Sequence, residues 1–141
     1  MIKVTCALIV DANKMLLTQK DGNSSHPFQW EFPGGKMQAD ETAANCIRRE
    51  INEELELDIE IIRKLQPVAY DYGFREIELV PFLCKISSGK IKLNEHIDYQ
   101  WVKWDEVGRM DLSAADYKLL DVAGNRRELE KYFRKKMDDS R

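Results

Sequence analysis

Aliphatic and β-branched residues fill positions 2–10, and an extended pattern resumes over 14–20 after the polar turn Asp11-Ala12-Asn13. Together these segments predict a β-hairpin. The polar stretch 21–27 predicts a loop. Residues 28–32 predict a short strand running into a Pro33-Gly34-Gly35 turn. Ala43, Ile47 and Ile51, with Ala44 and Leu55 beside them, recur at helical spacing and predict a helix over 41–55, with Asp40 as its N-cap. Residues 58–72 and 74–86 read as two long strands joined near Gly73, 87–89 as a turn and 100–104 as a short strand. Residues 113–135 read as mainly helical, with Leu119, Leu120, Val122, Leu129, Tyr132 and Phe133 facing inward. The charged tail over 135–141 is expected to fray. There is no repeat and no second domain, so the chain is read as one domain over 1–141. This order of elements fits an α/β sandwich.

A chain of 141 residues that is 43% hydrophobic can bury one substantial core. A net charge of −3 argues against a nucleic-acid polymer as partner, which would demand a basic face. Nucleotides remain open, because a bound cation supplies positive charge locally. Cys6, Cys46 and Cys84 lie far apart among apolar residues, without metal-ligand spacing. They read as three reduced, buried thiols, which fits a cytoplasmic protein. The N-terminal apolar run is too short to span a membrane and lacks a basic start or cleavage pattern, so no membrane partner is expected.

Chemistry concentrates in Arg49-Glu50-Ile51-Asn52-Glu53-Glu54. In a helix Glu50 and Glu54 stand one turn apart with Glu53 between, and like charges at such spacing, roughly 5–6 Å at Cβ, repel. The three lie off the centre of the apolar stripe, so the acidic patch can face a cleft. A cation between them removes the conflict. Mg²⁺ takes one or two protein carboxylates together with substrate phosphates, so the stretch suggests metal-assisted chemistry on a phosphorylated small molecule, with Mn²⁺ as a possible substitute. Glu50 and Glu54 are the first candidates as ligands, Glu53 the third, and the Gly34 carbonyl, accessible at a glycine corner, a fourth. Gly35 in the same corner allows backbone to approach a ligand. Arg49, four residues before Glu53, is expected to hold that carboxylate in a bidentate bond. Glu41 is expected to tie the loop to the helix start, where the dipole also favours an acid. Read alone, the acidic stretch is a solvated helix face with a weak surface pair.

The spacing around it changes that balance. Gly35, five residues, Glu41, seven residues, then Arg49-Glu50-Ile51-Asn52-Glu53-Glu54-Leu55-Glu56-Leu57 resembles the Nudix box. Every fixed position matches except the final glycine, which is Glu56. The preceding Trp30-Glu31-Phe32-Pro33-Gly34-Gly35-Lys36 is similar to the MutT and CTP-pyrophosphohydrolase branch. The resemblance implies the Nudix fold, a mixed, curved sheet sandwiched between helices, and implies the same metal ligands. It also implies hydrolysis of a nucleoside triphosphate such as 8-oxo-dGTP to the monophosphate and pyrophosphate, in the service of nucleotide-pool cleaning. Glu56 would occupy a left-handed helix end at a cost of roughly 1 kcal/mol, unless the helix ends differently.

Two residues compete for the catalytic base: Glu95, which resembles the acidic loop residue of the branch, and Glu53. Asp116 lies where the branch reads the base edge. An ionised carboxylate only accepts hydrogen bonds, so it suits guanine, with two adjacent donors, and repels cytosine N3 unless protonated. By resemblance, an Asp here leans instead toward the CTP-pyrophosphohydrolase group, and the choice stays open. Lys20 and Arg75 occupy places where the branch puts cations near substrate. Tyr72 and Phe74 are candidates to stack on a base or simply to pack, and His26 and His96 read as bystanders. The alternatives to a MutT-type enzyme are a CTP or modified-dCTP pyrophosphohydrolase and a non-catalytic nucleotide sensor. Either a monomer or a homodimer is compatible with the sequence.

Overall fold

The computed structural model describes residues 1–139, with side chains through residue 136. Strands β1 (Ile2–Asp11) and β2 (Lys14–Gln19) form the expected hairpin. They pair only at Val10–Met15 and Asp11–Lys14 before diverging. Beside the first half of β1 lies β4 (Gly34–Lys36), antiparallel to Val4–Cys6. On the other side β1 runs parallel to β7 (Glu76–Ser88) from Ile2–Ile77 to Ile9–Cys84. Strands β5 (Asp58–Lys64) and β6 (Val68–Asp71) both add antiparallel to β7. The diverging β2 carries β3 (Trp30–Glu31) and β8 (Asp98–Lys103). Four helices complete the chain: α1 (Ala43–Leu55), α2 (Trp104–Val107), α3 (Ala114–Asp121) and α4 (Ala123–Asp139).

Strand β1 is buried on both faces, as a strand with helices above and below must be. Cys6, Leu8 and Val10 pack toward Leu119, Leu129 and Phe133 of α3 and α4. Ala7 and Ile9 pack toward Ile47, Ile51 and Leu55 of α1. Two cores on opposite faces of one mixed sheet make the α/β/α sandwich that the sequence implies. The three cysteines are free and buried, and no described helix is long and apolar enough to cross a membrane.

Several boundaries differ from the sequence reading. The strand expected over 58–72 breaks between β5 and β6, where Pro67 has no N–H to offer a ladder. Asn125 of α4 fills the gap, accepting from the Gln66 N–H at 2.7 Å and donating to its carbonyl at 2.9 Å. The helix expected over 113–135 is two helices, parted where Val122 turns extended. Helix α1 is capped by Thr42, whose hydroxyl accepts from Asn45 N–H at 3.1 Å. Asp40, the expected cap, instead takes the left-handed backbone of the preceding turn, a conformation Asp tolerates. Gly34-Gly35 is strand rather than turn, and neither glycine has positive φ. At Gly34 the need is proximity, since a Cβ there would lie 2.0 Å from the Thr5 carbonyl oxygen. Trp104 starts α2 instead of ending a strand. The tail expected to fray from 135 is helical to Asp139, and its last two residues lie outside the described residues.

Candidate active site

Helix α1 turns Ile47, Ile51 and Leu55 into the core, which leaves Arg49, Glu50 and Glu53 on the shoulder. Arg49 is the hub. Its Nε and Nη2 grip the two oxygens of Glu41 at 2.6 and 2.9 Å, while Nη1 reaches Glu50 at 2.9 Å and Glu53 at 3.2 and 3.4 Å. The two-nitrogen fork therefore closes on Glu41, while the expected partner, Glu53, is held at both oxygens by Nη1 alone. Helical side chains lean toward the N-terminus, so Arg49 reaches back to the loop more readily than forward along the helix. Glu41 also accepts from the Gln38 N–H at 3.0 Å. The Arg49 guanidinium holds its carboxyl down at about 2.

Glu54 departs from the expectation that all three glutamates face an open cleft. It is 3% exposed, and its Oε2 has no hydrogen-bond partner. Glu53, in contrast, is 53% exposed and Glu50 is 14% exposed. Burial, followed by the charges of Glu95, Glu31 and Glu50, pushes the Glu54 carboxyl up to about 10, with only the Gly34 amide opposing. The Glu50 carboxylate lies flat against Gly35: a Cβ there would sit 2.4 Å from its Cδ. The Gly35 carbonyl accepts from the Thr5 hydroxyl at 3.2 Å.

The loop after β7 is stapled to the end of α1. Lys92 N–H donates to the Leu55 carbonyl, Asn94 N–H to that of Glu54, both at 3.0 Å, and Asn94 Nδ2 to that of Glu53 at 2.9 Å. Glu56 makes this possible by accepting the left-handed conformation (φ 55°, ψ 38°) that its sequence position threatened. Its carboxylate takes a bond from Asn94 Nδ2 at 3.1 Å. These bonds bring Glu95 within the field of Glu54. They also deliver His96, which is buried and 2.9 Å from Glu31 through Nε2.

Among the described residues no three acidic, histidine or cysteine groups converge tightly enough to cage a metal. The donor chemistry nevertheless fits a hard divalent cation. Glu54 presents a buried, partnerless oxygen in a field of three other acids, an arrangement that a cation relieves and a core does not otherwise explain.

Next to this acidic cluster lies a cavity of about 130 Å³, whose wall includes Gly34, Glu31, Lys20, Arg75, His26 and Asp116. Asp116 is buried and accepts from the Phe32 N–H through Oδ2 at 3.1 Å. Burial, then the charge of Glu31, pushes it up to about 7 against the Phe32 amide, Ser113 and Lys20. Lys20 Nζ stands 3.8 Å from Glu31, and the Arg75 guanidinium lies 5.9 Å over the Phe74 ring. Tyr72 packs against Tyr70 and His26, and its hydroxyl accepts from Ala115 N–H at 3.3 Å.

The structure thus gathers Lys20, Arg75 and Asp116 at one cavity, and sets Glu41, Arg49, Glu50, Glu53, Glu54 and Glu95 along α1 and the loops at its two ends. Sequence reasoning did not single out Glu31, although an acid between Trp30 and Phe32 in a strand leading to Gly-Gly is a readable signal. His26 and His96, read as bystanders, are a cavity wall and a buried partner of Glu31.

The family model of the NUDIX domain matches residues 1–122. The chain is 30% identical over 122 residues to the CTP pyrophosphohydrolase of Escherichia coli K12, covering 86% of this chain and 90% of that protein. It is 30% identical over 104 residues to the 8-oxo-dGTP diphosphatase of Buchnera aphidicola, covering 74% of this chain and 78% of that one. The crystal structure of a MutT protein from Methanosarcina mazei superposes with a TM-score of 0.79 at 26% identity, over 90% of this chain and 94% of that one. With the family model matching most of its length and its box arginine and glutamates set beside a cavity, the chain belongs to the NUDIX family and is a Nudix hydrolase.

Proposed function

We propose that this enzyme is a nucleoside triphosphate pyrophosphohydrolase of the MutT type, cleaving 8-oxo-dGTP or a related modified nucleotide to the monophosphate and pyrophosphate. The observation that carries the reading is adjacency. Glu31 and Gly34 line the cavity together with Asp116, and the Glu50 carboxylate lies against the neighbouring Gly35, which supports reading the acidic cluster and the cavity as parts of one site. Glu50, Glu53, Glu54 and the Gly34 carbonyl would hold Mg²⁺, with Mn²⁺ as substitute. Such a cation, when bound, offsets phosphate charge and acidifies water. Arg49 holds Glu50 and Glu53 in place and anchors both to the Glu41 loop. Glu95, on the loop stapled to the end of α1, and Glu53, held by Arg49 Nη1, are the two candidate bases. Lys20 and Arg75 are cations for the substrate's anionic portion, and Gly35 keeps the wall beside Glu50 open.

A second reading, a CTP or modified-dCTP pyrophosphohydrolase, draws on one observation. With its carboxyl at about 7, Asp116 is available near neutrality both ionised, to accept from guanine N1–H and amine, and neutral, to donate to cytosine N3. Pool cleaning in the cytoplasm is the cellular role either substrate suggests. A screen of triphosphates with Mg²⁺ or Mn²⁺, reading pyrophosphate release, tests the proposal. 8-Oxo-dGTP should lead, with CTP and 5-substituted dCTP as rivals; no release from any of them would end it.

A further inference from the structure

Resting on the triphosphate reading above, we infer that His26 is a base-reading residue, its Nε2–H donating to the carbonyl oxygen next to the base-edge atoms that Asp116 holds. His26 lines the same cavity as Asp116. Its Nε2 is buried without a hydrogen-bond partner, a state that a ligand relieves and a packing role leaves unexplained. The ring is not adrift. It lies 5.6 Å from Tyr72 between centroids, and its loop is fixed locally. His26 N–H donates to Ser24 Oγ at 3.0 Å, and Asn23 N–H to Asp21 Oδ1 at 2.9 Å. Lys20 N–H bonds the Gln29 carbonyl at 2.9 Å and closes the loop base. Phe28 holds a left-handed backbone there, with its carbonyl accepting from Gln19 Nε2 at 3.1 Å.

The chemistry of the base supplies the complement. Guanine carries O6 beside N1–H, and cytosine carries O2 beside N3, so either base presents a carbonyl next to the atoms that a carboxyl group engages. Asp116 has little left for it, since Oδ2 already accepts from Phe32. Lys20 is turned toward Glu31 and Arg75 toward Phe74. On this wall the His26 Nε2 is the buried side-chain nitrogen that no hydrogen bond within the protein engages.

Thio substitution isolates the contact, because sulfur is a poorer acceptor and the rest of the edge is kept. We would compare kcat/KM for GTP with 6-thio-GTP, and for CTP with 2-thio-CTP. Wild-type enzyme should favour the oxo form of its better substrate about tenfold, the usual worth of one such bond. H26F keeps a ring on Tyr72 but lacks the N–H; it should lose about tenfold on the oxo form, little on the thio form, and bring the ratio near one. H26Q, which retains an N–H, should recover part of the preference. Each ratio comes from one preparation, so partial unfolding cancels. A wild-type ratio near one, or an H26F ratio equal to the wild-type ratio, overturns the assignment. Wild-type enzyme inert toward every triphosphate would instead sink the triphosphate reading, and the His26 assignment with it.

Discussion

At the scale of single residues, two site carboxyls, Glu54 and Asp116, are raised well above their ordinary range. Glu54 is raised to about 10 in the fold from an ordinary value of 4.5. A raised acid contributes stability that is fully present below its unfolded value and lost as pH rises through its folded one. Metal-free protein should therefore lose stability steadily as pH climbs from about 5 toward 10. E54Q should abolish most of that slope and raise metal-free stability at pH 7 by on the order of 3 kcal/mol, while removing Mg²⁺-dependent turnover. Denaturant titrations at several pH values, beside pyrophosphate release, check both halves; a glutamine variant no more stable than wild type would contradict the burial argument. Asp116 titrates at about 7, facing Glu31, Lys20 and the Tyr72 and Cys6 side chains. Below that pH it is mostly neutral and suits cytosine, above it mostly ionised and suits guanine. The kcat/KM ratio of guanine-type to cytosine-type triphosphates should rise several-fold from pH 6 to 8, and D116N should make that ratio flat. A ratio independent of pH in the wild type would remove Asp116 from base selection.

At the scale of elements, β4 places two glycines side by side with different duties. G34A drives a methyl group into the Thr5 backbone, so it should cost at least about 3 kcal/mol of stability, as overpacking that backbone cannot relieve does. G35A meets instead the movable end of Glu50; it should fold with a melting temperature near wild type yet lose turnover by about a hundredfold. Melting curves and kcat for the pair separate the duties, and equal damage to stability would refute the distinction. The end of α1 makes the third case. E56G relieves a left-handed Cβ but gives up the bond from Asn94. The backbone gain, roughly 1 kcal/mol, outweighs an exposed side-chain bond, so melting should rise by about 2 °C. Activity should fall a few-fold as the Glu95 loop loosens. A lower melting temperature would mean that the staple, not the backbone, dominates that helix end.

At the scale of the whole molecule, legibility in the sequence follows the range of the interaction. The continuous apolar run of β1 and the apolar stripe of α1 are local patterns, and both can be read from the chain alone. The register of the box determines which acids crowd one helix. Choices made by distant partners are not readable in this way. The break after β5 is sealed by Asn125, which no local pattern connects to Gln66. That Arg49 closes its two-nitrogen fork on Glu41, besides bonding Glu53, depends on how the loop folds back across the helix. Glu31 and His26 acquire meaning only when β3 and the loop before it meet α3 and the β6–β7 turn around one cavity.

The brief pairing of the hairpin has its own mechanical meaning. Past its second rung the ribbon unzips, and each freed edge is finished by a different neighbour, β4 on one limb and β3 on the other, while β8 runs along the far edge of β2. Near the crotch, the Asn13 carbonyl takes the Trp104 N–H at 3.2 Å. The acidic helix leans against the first limb, and Glu31 and Lys20 ride on the second. A slight change in splay would thus lengthen or shorten the span between the glutamate cluster and the cavity around Asp116, leaving the contacts within each intact.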